Sequence, residues 1–255
     1  MSDKAKVHFV GAGPGAEDLI TVRGMELLKR ADVVIYAGSL VNPGLLKYAG
    51  GAVVHNSATM TLEEVIEVIK EASAQGKEVV RLHTGDQSIY GAVKEQMKEL
   101  DELGIAYDSC PGVSACFGAA ASLDLEYTLP GISQSLIITR MEGKTRVPEG
   151  ESIRRFASHG ASMAIYLSSS LLKELSKELI EGGYDKDTPA AIVYKATWPE
   201  EEKYLCTVGT LAETADKHGI KKTAIILVGE VISPAYTERS KLYDPTFETE
   251  FRKKS

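Results

Sequence analysis

The sequence predicts an α/β protein of two α/β domains, a parallel-sheet N-terminal domain and a mixed-sheet C-terminal domain. Three observations carry this. Up to Leu129-Pro-Gly131, short valine- and isoleucine-rich runs alternate with amphipathic helical patterns, the rhythm of strands joined by crossover helices. Several of those runs stop at glycine turns, Gly11-Ala-Gly-Pro-Gly, Ala37-Gly-Ser and Gly85-Asp, as strands of a parallel sheet do at their carboxyl edge. Beyond residue 131 there are several strands per helix. The boundary is therefore placed near residue 132, giving domains 1–132 and 133–232 and a polar tail 233–255.

In chain order, Lys6–Val10 reads as a strand and Asp18–Arg30 as a helix with Leu19, Val22, Leu27 and Leu28 on one side. Val33–Tyr36 is a second strand, and a short one lies near Ala52–His55. Thr61-Leu-Glu-Glu64 is a capping box that opens a helix to Ala74, closed by Gly76. The stretch around which the rest is organised begins at Val79. It is a β-branched strand that breaks at Gly85-Asp86 and restarts after Gly91 as a helix through Leu100. Ala106–Cys110 is a further strand, broken by Pro111-Gly112, and Val113 opens a helix of small residues. In the second half, strands Ser135–Arg140, Ser162–Leu167, Pro189–Tyr194, Lys203–Val208 and Ala224–Val231 are interleaved with helices Ile153–His159, Leu171–Glu181 and Leu211–His218.

Composition limits the function. The net charge is -7, so there is no overall basic field to attract nucleic acid. No apolar run approaches the roughly 20 residues that span a bilayer, so no membrane partner is expected. There is no signal-peptide pattern, and the three cysteines, Cys110, Cys116 and Cys206, lack zinc-ligand spacing. A cytoplasmic protein without a metal site is the expectation.

Gly11-x-Gly13-x-x-Ala16 fits the loose dinucleotide fingerprint, but Pro14 removes an N–H where a pyrophosphate needs donors. The second strand also ends without an acid for a ribose hydroxyl. A rigid turn lining a ligand site fits better. Gly85 and Gly91 permit close backbone approach, and Asp86 offers a fixed carboxylate; an ordinary turn with a capping aspartate is the alternative. The small residues from Val113 allow either a flat ligand or a tightly packed neighbour. Trp198, in a Thr-Trp-Pro loop, could stack on a flat ring or fill an interface. No basic residue near Cys110 or Cys116 in sequence would activate a nucleophile. The sequence shows no triad, no paired acid and base and no metal cluster, so no catalytic side chain is singled out; Asp86 and Ser39 are the candidates.

Five motifs occur in order: Val10-Gly-Ala-Gly-Pro-Gly, Ala31-Asp-Val-Val-Ile-Tyr, Gly85-Asp-Gln-Ser-Ile-Tyr-Gly, Pro111-Gly-Val-Ser-Ala and Ala224-Ile-Ile-Leu-Val-Gly. Together they resemble the tetrapyrrole methylases, S-adenosylmethionine-dependent enzymes that methylate corrin precursors, over about residues 6 to 232. Tyr36-Ala-Gly-Ser-Leu-Val, Ser133-Gln, Ile138-Thr-Arg140 and Ala196-Thr-Trp-Pro199 resemble the branch acting in cobalamin synthesis, on metal-free or cobalt-containing substrate. The resemblance implies S-adenosyl-L-methionine in the interdomain cleft, S-adenosyl-L-homocysteine as product, and a homodimer. It nominates Pro14, Thr84, Gly85, Asp86, Ile89, Ser114, Ala115, Leu167, Ala196, Thr223 and Ala224 as cofactor contacts. Gln87 stands where the family often has proline, and Leu167 where it often has methionine. The implied tetrapyrrole carries many carboxylates, so an acidic protein needs a local basic lining. His83, Arg140, Lys144 and Lys195 are the candidates, with Trp198 against the ring. The alternatives are a family methylase for another substrate and a non-catalytic nucleotide- or tetrapyrrole-binding module.

Overall fold

The structure, a computed structural model, describes residues 6–38, 40–233 and 240–253. By contacts the chain falls into two units. One is Met1–Gly118 with Lys195–Glu201; the other is Ala119–Tyr194 with Glu202–Ser255.

The first unit carries a five-stranded parallel sheet. Its elements are β1 (Val7–Gly11), α1 (Val22–Arg30), β2 (Val33–Tyr36), β3 (Val53–Asn56), α2 (Leu62–Ala74), β4 (Val79–His83), α3 (Lys94–Leu103) and β5 (Tyr107–Cys110). The strand order is β3-β2-β4-β1-β5, which sets β1 between β4 and β5. Both faces are apolar, as a sheet covered by crossover helices requires. Val10, Val34, Val80 and Leu82 pack with Leu27 and Leu28 of α1. On the other face Val7, Phe9, Ile35 and Val79 pack with Ile66 and Ile69 of α2 and Leu100 of α3.

The expected capping box is formed: the Thr61 hydroxyl accepts from Glu64 N at 3.3 Å, and Thr61 N donates to the Glu64 carboxylate at 2.8 Å. The first helix differs from expectation. Glu17–Leu19 is a separate 3-10 turn, and α1 begins at Val22 because Thr21, extended at ψ 149°, caps it through Gly24 N. Val22 is consequently 74% exposed rather than part of the apolar side. The organising strand and its helix are both present, although the helix starts at Lys94, three residues beyond Gly91.

Helix α4 (Ala115–Ser122) carries the chain from the first unit into the second. The second unit then contains β6 (Leu136–Arg140), α5 (Ile153–Ala157), β7 (Ser162–Tyr166), α6 (Leu172–Gly182), β8 (Pro189–Tyr194), β9 (Glu202–Thr207), α7 (Leu211–Lys217) and β10 (Ala224–Val228). Its sheet runs β6-β7-β10-β8-β9, with only the β6–β7 pair parallel. Leu175 and Leu179 of α6 and Leu211 of α7 pack on Met163, Ile165, Ile192 and Ile226. The mixed sheet expected of the second half is thus present. Residue 132 falls between the last strand of one sheet and the first of the other, whereas the contact division comes at Gly118. None of the described helices is long and apolar enough to cross a membrane.

Candidate cofactor-binding site

Three turns leave the carboxyl edge of the parallel sheet side by side, because β4, β1 and β5 are neighbours. Gly13 N donates to Gly85 O at 3.2 Å and Gly85 N to Gly13 O at 2.8 Å, tying the first turn to the organising loop. A Cβ on Gly11 would lie 2.6 Å from Gly112 Cα and 2.7 Å from Gly85 O. Glycine is therefore required at Gly11 for packing. At Gly85 the requirement is conformational. Its φ is +60°, and a Cβ there would meet Ser114 Cα at 3.6 Å, Ala115 N at 3.7 Å and Ser114 Oγ at 3.8 Å, all ordinary contacts.

Asp86 ties the organising loop to the third turn. One carboxylate oxygen accepts from Gly112 N at 2.8 Å; the other accepts from Ser88 N at 2.8 Å and from the Ser88 hydroxyl. Burial pushes its pKa up, but these hydrogen bonds outweigh it and hold the carboxyl below its ordinary value. With both oxygens engaged, the geometry makes Asp86 a brace for the turns. Thr84 donates its hydroxyl to Leu40 O at 3.2 Å, fixing the β2 loop beside them.

Residues 195–201 cluster with this first unit. The Trp198 indole N–H donates to Pro14 O at 3.1 Å, and Ala16 N donates to the Thr197 hydroxyl at 3.0 Å. A Cβ on Gly15 would overlap the Trp198 ring, and one on Gly118 would lie 2.9 Å from Pro14 Cγ and 3.0 Å from Thr197 Cγ2. At Gly118, then, small size serves packing against a neighbouring turn. Pro14, Thr84, Gly85, Asp86, Ile89, Ser114, Ala115 and Ala196 are all placed in this unit, the first six on the three turns and Ala115 at the start of α4. Ser39 lies outside the described residues.

In the second unit, Leu167 follows β7, and Thr223-Ala224 opens β10. Since Ile165 pairs with Ile226 antiparallel, these residues share one edge of the mixed sheet. The Ser169 hydroxyl donates to Ala224 O at 3.0 Å, and Leu167 is 62% exposed. Seven described non-glycine residues have left-handed φ: Tyr90 (55°), Ala92 (48°), Asp124 (50°), Leu167 (52°), Lys195 (46°), Thr197 (68°) and Thr223 (57°). All except Asp124 are nominated contacts or lie within three residues of one. Strain of this kind collects where backbone geometry is put to use.

The basic candidates have more specific positions than surface charge. His83 is 4% exposed, and burial together with the neighbouring Arg81 charge pushes its pKa down to about 3. A neutral ring at physiological pH brings no cation to a carboxylate. The Arg140 guanidinium donates to the carbonyls of Met141, Thr145 and Arg146 at 2.8–3.2 Å and so shapes its own loop. Lys144 is exposed. Lys195 Nζ is 3.6 Å from Glu200 Oε2 and 5.3 Å from the Trp198 ring centroid. Sequence reasoning missed Arg81, which is 6% exposed at the base of the organising loop. An arginine within a β-branched strand whose neighbours are all buried was the available signal.

Comparisons with known proteins converge. The profile of the Tetrapyrrole (Corrin/Porphyrin) Methylases matches residues 6–212. A cobalt-precorrin-4 C(11)-methyltransferase of Methanocaldococcus jannaschii is 54% identical, with 99% of this chain and 98% of that protein covered. One from Priestia megaterium is 46% identical over 97% and 98% of the two chains. The X-ray structure of a cobalt precorrin-4 methyltransferase superposes with a TM-score of 0.88 at 45% identity, covering 90% of this chain and 96% of that one. A uroporphyrin-III C-methyl transferase from Thermus thermophilus, solved with S-adenosyl homocysteine, matches with a TM-score of 0.76 at 25% identity, over 92% and 96% of the chains. On the strength of the motifs, the two sheets and these full-length likenesses, this chain belongs to the tetrapyrrole methylases.

Proposed function

We propose that this chain transfers a methyl group from S-adenosyl-L-methionine to C-11 of precorrin-4, in its cobalt-containing form, during cobalamin synthesis. The observation that carries the reading is the identity, along nearly the whole chain, to relatives named for that reaction. Relatives named for the metal-free substrate are less similar, at 43% and below, which favours the cobalt-containing one.

The residues present fit the cofactor. The space beside Gly85, facing Ser114 Cα and Ala115 N, is one that a Cβ would fill. Pro14, Thr84, Gly85, Asp86, Ile89, Ser114 and Ala115 would hold the cofactor from the first unit. Leu167, Ala196, Thr223 and Ala224 are the remaining proposed contacts. When bound, S-adenosyl-L-methionine supplies an electrophilic sulfonium methyl, leaving S-adenosyl-L-homocysteine. The protein's share is orientation, which alone is worth about 7–11 kcal/mol in favourable cases. Asp86 braces the turns, and the hydrogen bonds that hold its carboxyl below the ordinary value make it a poor base.

No cysteine fits a methyl relay. Cys110 and Cys116 are buried, and burial raises the Cys206 thiol to about 11. Direct attack by the ring carbon is therefore the proposed route. Arg140, Lys144, Lys195 and Trp198 remain the proposed tetrapyrrole contacts, and a cytoplasmic homodimer the proposed form. A family methylase for another ring carbon, or a binding module without catalysis, is the competing reading. Label transfer from methyl-labelled S-adenosylmethionine separates them: the chain should methylate cobalt-precorrin-4 faster than the metal-free substrate. Binding of both ligands without transfer would leave only the module.

A further inference from the structure

We infer that Arg81 and Gln96 form a buried strut that positions the organising loop for cofactor binding; this rests on the proposed function. Arg81 is 6% exposed and Gln96 5% exposed. Arg81 Nε donates to Gln96 Oε1 at 2.9 Å, and Arg81 Nη1 donates to Ile35 O at 3.1 Å. The other end of the amide, Gln96 Nε2, donates to Ala92 O at 2.9 Å. The chain of bonds thus runs from the end of β2, through β4 and the first turn of α3, to the back of the Asp86–Val93 loop.

Arg81 makes no ion pair with any described carboxylate. Burial pushes its pKa down to about 10, which still leaves it charged at neutral pH. A desolvated cation with only neutral partners is poor value for folding; well-packed apolar residues of the same volume generally do as well or better. Its use is better sought in what it holds. The loop contains two left-handed non-glycine residues, Tyr90 and Ala92, whose backbone strain the surrounding structure has to hold in place. Between them Gly91 has no room for a Cβ, which would overlap Gln87 O. Asp86 secures the front of this loop through Ser88 and Gly112. At the back, the N-cap of α3, Val93, makes no side-chain cap bond, and the Gln96 amide holds the preceding residue by donating to Ala92 O.

A strut with a polar group at each end is rigid only when both ends are bonded. Ile89, a proposed cofactor contact, lies between the two anchors. Loss of the rear anchor should therefore loosen the cofactor's seat without touching any residue that contacts it. Arg81 and Gln96 are positioning residues in this sense.

The test separates the two ends of the amide. Gln96→Glu keeps the acceptor for Arg81 and gives it a charged partner, but it removes the donor to Ala92 O. The variant should melt no lower than the unaltered protein. Its S-adenosylhomocysteine dissociation constant, read by calorimetry, should rise by about tenfold or more, the scale on which misplaced sites act. The backbone amide of Met97, which donates to Val93 O at 2.9 Å in the first turn of α3, should exchange hydrogen faster. If the variant fails to fold, the double variant Arg81→Met with Gln96→Leu replaces the whole strut by apolar volume and should show the same two changes. A folded variant with a smaller affinity change, or with unchanged exchange at Met97, overturns the inference while leaving the proposed function standing. An unaltered protein that does not bind S-adenosylhomocysteine removes both.

Discussion

His83 shows what a single residue's surroundings decide. In sequence it is a basic residue beside a ligand turn; in the structure it is buried against Phe9, its ring 6.1 Å away between centroids, with Nε2 unpartnered. Its folded pKa of about 3 lies below the unfolded value, so the unfolded chain binds the extra proton first. The stability that goes with the neutral ring is complete above the unfolded pKa and is lost as pH falls toward 3. Between neutrality and about pH 5 the loss is on the order of 2 kcal/mol. Urea unfolding midpoints at the two pH values should show it, and His83→Gln should flatten the dependence. An unflattened profile would assign the acid sensitivity to other groups. The sequence made Asp86 legible as a fixed carboxylate, because an aspartate after a glycine turn has few other uses. It could not show the burial of His83 and Arg81, which depends on helices packed from elsewhere in the chain.

At the level of elements, the local signals were readable and the long-range ones were not. The capping box at Thr61 and Glu64 is complete within four residues, and it formed as written. Thr21 was also a legible cap by residue type, but the apolar pattern across it suggested a longer helix. Gly11 and Gly112 could be seen as turn glycines, but not as contacts, because their meeting depends on β1 lying between β4 and β5. Two substitutions distinguish the kinds of glycine. In Gly112→Ala the new Cβ would overlap Gly85 O, a backbone atom that cannot yield, so a loss of more than about 2 kcal/mol is expected. In Gly85→Ala the space exists and only the left-handed backbone is penalised, by roughly 1–2 kcal/mol. Thermal melts of the pair should rank Gly112→Ala as the more damaging. The reverse order would mean that the turns do not pack as described.

For the whole molecule, the two-sheet plan was legible because hydrophobic rhythm reports sheet type directly: continuous apolar runs with helices between them, then several strands per helix. What it could not report is that residues 195–201, far along the chain, cluster with the first unit and seat Trp198 on the Pro14 turn. Charge sets the other requirement at this scale. A net -7 chain that takes a polycarboxylate must offer cations locally. Lys144 and Lys195 are better test positions than Arg140, whose guanidinium also shapes its own loop. Lys144→Ala combined with Lys195→Ala should raise the apparent tetrapyrrole constant and weaken its salt dependence, with cofactor affinity nearly unchanged. Equal weakening toward both ligands would point to a damaged fold.

Methyl transfer to one ring carbon can be read straight from the product. The chain is incubated with cobalt-precorrin-4 and S-adenosylmethionine labelled with carbon-13 in its methyl group, and the isolated product is read by carbon NMR. One new labelled methyl, attached to C-11, is expected. A label on another ring carbon, or no label in the tetrapyrrole while both ligands bind, would contradict it.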